Sequence, residues 1–242
     1  MRTPRLYTPQ PLTVNTTITL TDQAAHYLVK VLRMEVGREC LLFNGDNHTY
    51  HATLTAANKK NVTCHIHQAQ LSHTQSPLHI ELAIGLSKGD RMDWVCQKAT
   101  ELGVSRIVPI FAARSELKLK GERLEKKHQH WQQIVVSACE QCRLDVVPEI
   151  AAPQTLDAYL SQASGEHKFV LHHRTDKSLQ SLNKPASASL LIGPEGGLNE
   201  DEITQAEQHG FAPLALGPRV LRTETAPLAA ISIMQYLWGD MG

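Results

Sequence analysis

Ser189-Leu190-Leu191-Ile192-Gly193-Pro194-Glu195-Gly196-Gly197-Leu198-Asn199 is the stretch whose reading decides the fold. Its first four residues read as a short buried strand, and the Gly-Pro-Glu-Gly-Gly turn breaks that strand sharply. Asn199 then stands at a helix N-cap position with Glu202 three residues later, a capping-box pattern, and Gly210 ends the helix. The plan recurs immediately. An apolar run ends at Ala215-Leu216, Gly217-Pro218 turns the chain, and Arg222-Thr223-Glu224-Thr225 precedes the apolar segment Ala226–Trp238. Two strand–glycine turn–helix units in succession point to a site built from backbone, because glycine lets main-chain groups approach a ligand closely.

Working upstream, the same alternation continues. Leu78–Ile84 reads as a strand, and Asp90 as the cap of a helix whose Met92, Val95, Ala99 and Leu102 form an apolar stripe ended by Gly103. Ile107–Phe111 is the next strand. A charged stretch, Ser115–Lys127, leads into a helix through Trp131, Ile134, Val135 and Ala138, and Phe169–His172 is a further strand. Strands alternating with helices are the signature of an α/β domain with a parallel sheet.

The polar segment 71–77, ending in Pro77, is the best linker, and it divides the chain into residues 1–72 and 73–242. The first part is β-rich. Short runs at Thr16–Leu20, Cys40–Phe43, His51–Leu54 and Val62–Ile66 are separated by turn signals at Asn44-Gly45-Asp46-Asn47 and Asn58-Lys59-Lys60-Asn61. One helix, from Asp22 as its cap to about Met34, would put His26, Val29 and Arg33 on one face and Leu28, Val31 and Leu32 on the apolar side. The expectation is a small barrel or half-barrel with one helix.

Bulk properties exclude several classes. Apolar content of 42%, charge of 20% and a formal net charge of zero suit an ordinary globular protein, not a polycationic binder. Residues 1–72 hold seven Lys/Arg against four Asp/Glu, and residues 73–242 hold seventeen against twenty. No apolar run is long enough to span a membrane. The N-terminal MRTPRLYTPQPL lacks a continuous apolar core, so no secretory signal is expected. Five cysteines at unremarkable spacings fit a reducing cytoplasm. Cys139-Glu140-Gln141-Cys142 has no second pair at zinc-like spacing, and the thirteen histidines, His65/His67 and His172/His173 among them, lack a completing carboxylate or thiol. No metal is expected.

Five segments, HYLVKVLRMEVG (26–37), QKATELGVSRIVP (97–109), EQCRLDVVP (140–148), IGPEGG (192–197) and LGPRVLRTETA (216–226), together resemble the bacterial ribosomal RNA small subunit methyltransferase E family, of the SPOUT class. They stand in the family's order and spread over nearly the whole length. The resemblance implies a PUA-like β-barrel domain at 1–72 followed by a trefoil-knotted α/β methyltransferase domain at 73–242. It implies methylation of N3 of a specific uridine in 16S ribosomal RNA, free or within the small ribosomal subunit, with S-adenosyl-L-methionine as donor, by a cytoplasmic homodimer. The knot follows from the resemblance alone, since threaded chains are very rare. The final helix, with Leu228, Ile231, Ile233, Met234 and Leu237 around most of its circumference, must be buried, at the dimer interface or within one subunit.

For IGPEGG the bland reading is a strand-to-helix turn, and a phosphate site competes because helix N-termini attract anions. Glu195, Glu200 and Asp201 count against an anion. By resemblance the turn carries the donor pocket, with Ile192, Gly193 and Gly196 as backbone contacts, Leu216, Gly217 and Leu221 as the facing wall, and Leu171 and His172 at a neighbouring strand end. LRTETA holds the side-chain chemistry. Deprotonating a uracil N3 leaves negative charge on its flanking carbonyl oxygens, which a cation can stabilise. Arg222 suits that role as a permanent charge with a rigid donor fork. Glu224 or Glu195 is either the base or a holder of Arg222, and a purely structural Arg–Glu pair is the plain alternative. Arg2, Arg5, Lys30, Arg33, Arg114 and Arg143 are candidate RNA contacts, with Arg33 and Arg143 favoured because they lie inside matched segments. The rival functions are a non-catalytic rRNA-binding protein and a nucleotide-phosphate enzyme.

Overall fold

A computed structural model of the chain describes residues 3–58, 61–117, 119–172 and 179–242. Arg2, His173, the Lys59-Lys60 part of the expected turn and the capping side chain of Asp22 lie outside what it describes. The chain divides into one unit of residues 1–75 with 139–147, and a second of 76–138 with 148–242. A boundary at 72/73 therefore leaves the segment 139–147 with the wrong partner.

The first unit contains strands β1 (Arg5–Tyr7), β2 (Thr17–Thr21), β3 (Glu39–Phe43), β4 (His48–Ala57) and β5 (Asn61–Leu71) in one sheet of order β1-β3-β4-β5-β2. β1 runs parallel to β3 and the other pairs are antiparallel. The alternation that marked these strands now has a direction. Tyr50, Ala52 and Leu54 of β4 and Val62, Cys64 and Ile66 of β5 point into one core with Leu20, Leu28 and Leu42. Each such aliphatic side chain contributes about 1.5–3 kcal/mol by leaving water.

The single helix expected over 22–34 is shorter and changes pitch. A helix α1 (Asp22–His26) widens into a π turn at Tyr27–Val31. Leu32 N–H still bonds Tyr27 O, and Arg33 then takes a left-handed conformation with φ +51°, which ends the helix. Widening rotates the face. Leu28 is buried, whereas Val31, expected on the apolar side, is 58% exposed.

The segment 139–147 completes this unit through Arg5. Arg5 Nη1 donates to Cys139 O and Nη2 to Leu144 O at 3.0 Å, with the Asp145 carboxylate as its ion partner. Its guanidinium lies 3.8 Å from the centroid of the Phe43 ring. Thr49 Oγ1 donates to Asp145 at 2.8 Å, and Tyr7 N–H donates to Glu140 Oε1 at 3.0 Å. Arg5 is only 8% exposed, so the expectation that it contacts RNA is overturned. A buried guanidinium needs all its donors satisfied, and this one finds its partners inside the protein.

The second unit holds β6 (His79–Gly85), α2 (Arg91–Glu101), β7 (Arg106–Phe111), most of α3 (Glu122–Cys142), β8 (Glu149–Ile150), β9 (Gln154–Thr155), α4 (Leu156–Leu160), β10 (His167–Leu171), β11 (Ser187–Ile192), α5 (Glu200–Gln208), β12 (Ala212–Leu214) and α6 (Thr225–Trp238). The sheet order is β12-β10-β11-β6-β7-β8, with β9 also on β7, and every pairing is parallel. Parallel strands are covered on both faces, which is why Ala188 to Ile192 is an unbroken buried run.

Two helix readings change. Asp90 occupies the N-cap position of α2 without a capping bond from its side chain, its backbone being at φ −88°, ψ 2° instead of extended. α6 buries one face, through Ala226, Ala230, Ile231, Met234, Gln235 and Trp238, while Ile233 is 40% and Tyr236 66% exposed. Gln235, fully buried, donates to Leu102 O and Gly103 O at 3.0 and 3.1 Å and accepts from Ser76 Oγ at 2.7 Å, fixing α6 beside α2.

Candidate functional site

Because the sheet is parallel, the loops after β6, β10, β11 and β12 leave from one edge, the carboxyl ends of neighbouring strands. Ligands of open α/β sheets bind there. A cavity of about 380 Å³ opens at this edge. Its walls include all eight residues expected around the donor: Leu171 and His172 past β10, Ile192, Gly193 and Gly196 past β11, and Leu216, Gly217 and Leu221 past β12. Glu195 and Arg114 line it as well. Thr223, Ile203 and Glu200 were not anticipated as walls; they flank the two glycine turns, and only the folded loops turn them inward.

The turn after β11 is held from several sides. Gly197 N–H donates to Pro194 O at 2.8 Å. A Cβ on Gly193 would stand 2.6 Å from Leu198 N, so the chain folds back on itself too closely for a side chain. Asn199 Oδ1 accepts from Glu202 N–H and Glu202 Oε2 accepts from Asn199 N–H, both at 2.8 Å, the expected capping box. The same Glu202 accepts from Ala113 N–H at 2.7 Å, tying in the loop after β7. Arg114 Nη1 donates to Gly196 O at 2.9 Å. That bond makes Arg114 a buttress of the turn, a role its expected RNA contact did not include. Across the cavity Gly217 takes φ +82°, a conformation costly for any residue with a Cβ.

The acidic residues pair differently from expectation. Arg91, at the start of α2, donates from Nη1 to Glu195 Oε1 at 2.8 Å, and its Nε lies 3.6 Å from Glu224 Oε2. Lys88 N–H also donates to Glu195 Oε1, at 3.0 Å. Neither carboxylate therefore holds Arg222, and that expectation is corrected. Burial alone would raise the Glu195 pKa, but bonds from its own and Lys88 N–H groups, Ser87 and Arg91 outweigh it and hold the carboxyl below its usual value. Arg222 is exposed, with no side-chain bond or ion pair among the described residues, and its carbonyl accepts from Thr225 and Ala226 N–H at 2.9 Å to start α6. Sequence reasoning missed Arg91. Its signal was positional only: it follows Lys88-Gly89-Asp90 just past a strand that neighbours β11 in the sheet.

In the first unit, Lys30, Arg33 and Arg143 are exposed. Arg33 and Arg143 both have positive φ, +51° and +71°. Cys139 is buried and both thiols of the C-x-x-C lie on α3. Among the described residues no group of three or more His, Cys, Asp or Glu is placed to hold a metal, and no helix is long and apolar enough to cross a membrane.

Comparison with known proteins adds the following. The family model for an RNA methyltransferase domain matches residues 74–235, and that for an RNA methyltransferase PUA domain matches residues 20–66. A ribosomal RNA small subunit methyltransferase E from Buchnera aphidicola is 36% identical over 99% of this chain and 98% of its own. The ribosomal RNA small subunit methyltransferase E of Neisseria gonorrhoeae, solved bound to S-adenosyl methionine, is 37% identical, with a TM-score of 0.93 and complete coverage of both chains. A Legionella pneumophila structure with SAM bound is 40% identical, with a TM-score of 0.96 over 99% of this chain and all of that one.

Proposed function

The chain belongs to the ribosomal RNA small subunit methyltransferase E family, and on that premise we propose that it transfers a methyl group from S-adenosyl-L-methionine to N3 of one uridine in 16S ribosomal RNA. The observation that carries the reading is the 380 Å³ cavity at the carboxyl edge of the parallel sheet, walled by both glycine turns. The residues suit the donor. Leu171, Ile192, Leu216 and Leu221 offer apolar surface to a nucleoside, and the crowded backbone at Gly193 offers main-chain groups where a side chain has no room. Bound there, the donor supplies an electrophilic methyl on a sulfonium sulfur.

The protein's part is alignment and charge. Held in line, N3 takes the methyl as its carbon–sulfur bond breaks and the electron pair goes to sulfur. The N3 proton must leave first. Arg222, exposed beside the cavity wall residues Leu221 and Thr223, stabilises the charge that then develops on the uracil carbonyl oxygens. Glu195 and Glu224 are already paired with Arg91, which disfavours their taking up a proton, so the N3 proton is given up to bulk buffer before the transfer. Replacing Arg222 with Ala is expected to abolish methylation while calorimetry still shows donor binding; near-normal turnover refutes the assignment. Mass-spectrometric mapping of rRNA from cells with and without the protein tests the reaction and the target together, by loss of one N3-methyluridine.

The finer structural expectations rest on the same premise. A SPOUT knot is supported by the all-parallel order β12-β10-β11-β6-β7-β8 and by three loops meeting at one cavity. A PUA-like barrel that grips RNA through Lys30, Arg33 and Arg143 is supported by the exposure of these cations and by two of them holding a strained backbone, a cost that clusters at functional positions. A homodimer is supported by Ile233 and Tyr236 of α6 and Trp94 of α2, all exposed on helices that pack together.

A further inference from the structure

Three loops that leave different strands meet at one guanidinium. Arg91 lies past β6, Glu195 past β11 and Glu224 past β12, and Arg91 reaches the first carboxylate at 2.8 Å and the second at 3.6 Å. Arg91 itself is not among the cavity walls. We infer that Arg91 is a positioning residue for methyl transfer, latching the 217–224 loop to the glycine turn and keeping Glu224 off Arg222. The inference rests on the function proposed above and assigns to that site the part that leaves its cation free.

The chemistry follows from spacing. Glu224 is two residues from Arg222, in the non-helical stretch before α6, so it is the nearest counter-charge in sequence. Once released, it can swing onto the guanidinium and neutralise the field that a uracil anion needs, since close opposite charges dominate any longer-range interaction. Paired with Arg91, it cannot. Arg91 and its partners are partly solvated, and such ion pairs add little to global stability. The consequence belongs to loop placement and to charge at the reacting atoms. Glu195 anchors the arrangement because Lys88 N–H holds the same carboxylate oxygen from the loop that carries Arg91.

The test uses full-length wild type, Arg91→Ala, Glu224→Gln and the double variant Arg91→Ala/Glu224→Gln. Each is measured for donor affinity by calorimetry, for kcat and KM on small ribosomal subunits from cells lacking this protein, and for Tm. Arg91→Ala is expected to keep Tm within about 2 °C and donor Kd within about threefold, while kcat falls at least about tenfold. Glu224→Gln in the Arg91→Ala background is expected to restore kcat to within about threefold of Glu224→Gln alone, because a neutral amide cannot capture Arg222. Arg91→Ala with wild-type kcat overturns the inference, and so does a loss that the second change fails to restore. Should Arg91→Ala not fold, Arg91→Lys carries one charge without the fork to serve two carboxylates, and its kcat and rescue are read the same way. A wild-type protein that binds no donor or methylates nothing overturns the proposed function, whereas an active wild type with an indifferent Arg91 overturns only the latch.

Discussion

Gly85→Ala is the sharpest probe of how the sheet holds the cavity, because Gly85 is not a cavity wall. A Cβ there would lie 2.3 Å from Pro194 N, 2.4 Å from Pro194 Cδ and 2.8 Å from Gly193 C. Ordinary contacts between heavy atoms are about 3.5–4.0 Å, so the turn must retreat by roughly 1 Å. The opposing atoms are backbone and a proline ring, so no rotamer change relieves the clash. Overpacking of this kind costs about 1–3 kcal/mol. In a chain of this size that lowers Tm by roughly 2–12 °C. The larger effect is local. Gly193 and Pro194 move with the turn, and a misplacement of about 1 Å in a binding constellation can cost about a hundredfold. Calorimetric titration with S-adenosylmethionine should show Kd weakened at least about tenfold, or about 1.4 kcal/mol. Wild-type affinity in a folded Gly85→Ala protein would refute the reasoning, showing that the turn is not set by β6 or does not hold the donor.

Two predictions concern other parts of the molecule. Arg5→Ala should destabilise the first unit by about 3–5 kcal/mol in denaturant unfolding, since it strands the buried Asp145 carboxylate; unchanged stability with lost RNA affinity would return Arg5 to the surface. Asp93 accepts from His130 Nε2 at 2.7 Å, Trp131 Nε1 at 3.0 Å and Lys127 Nζ at 3.3 Å. Burial would raise its pKa, but the His130 and Lys127 interactions outweigh it and lower it. A carboxyl lowered by folding contributes stability above its unfolded value of about 4 and loses it as pH falls through the folded value. Tm measured from pH 7 to pH 3 should therefore drop more steeply at the acid end for wild type than for Asp93→Asn, and parallel curves would contradict this.

What could be read in advance follows the range of the forces involved. The capping box at Asn199 and Glu202 is local, and it formed as expected. The cavity walls were expected from the family resemblance, and the parallel sheet brings those residues together because it sends neighbouring strand ends to one edge. Strands β1, β8, β9 and β12 are two or three residues long, too short for any periodicity, and only pairing with a neighbour makes them strands. Arg5 misled for a related reason. A basic residue near a chain terminus looks solvated until Asp145, 140 positions later, is seen beside it. Arg91 was missed because its partners lie 104 residues away and beyond. Val31 failed because a π turn rotates the face that a regular helix would bury.

The pairing of Arg5 with Asp145 also has a temporal side. During synthesis at about 5–20 residues per second, the counter-charge follows roughly 7–28 s after the arginine. Until then the five-stranded sheet can pair and its apolar core can close, but the guanidinium has only the Phe43 ring and water to receive it. A nascent or truncated chain ending near residue 75 would therefore hold its first strand loosely, with Tyr7 N–H and the Arg5 fork unmet. Trapping such chains on the ribosome and following protease sensitivity at residues 3–8 would show the terminus locking only after residue 147 emerges. The amino-terminal unit is then the first to begin folding and among the last to finish.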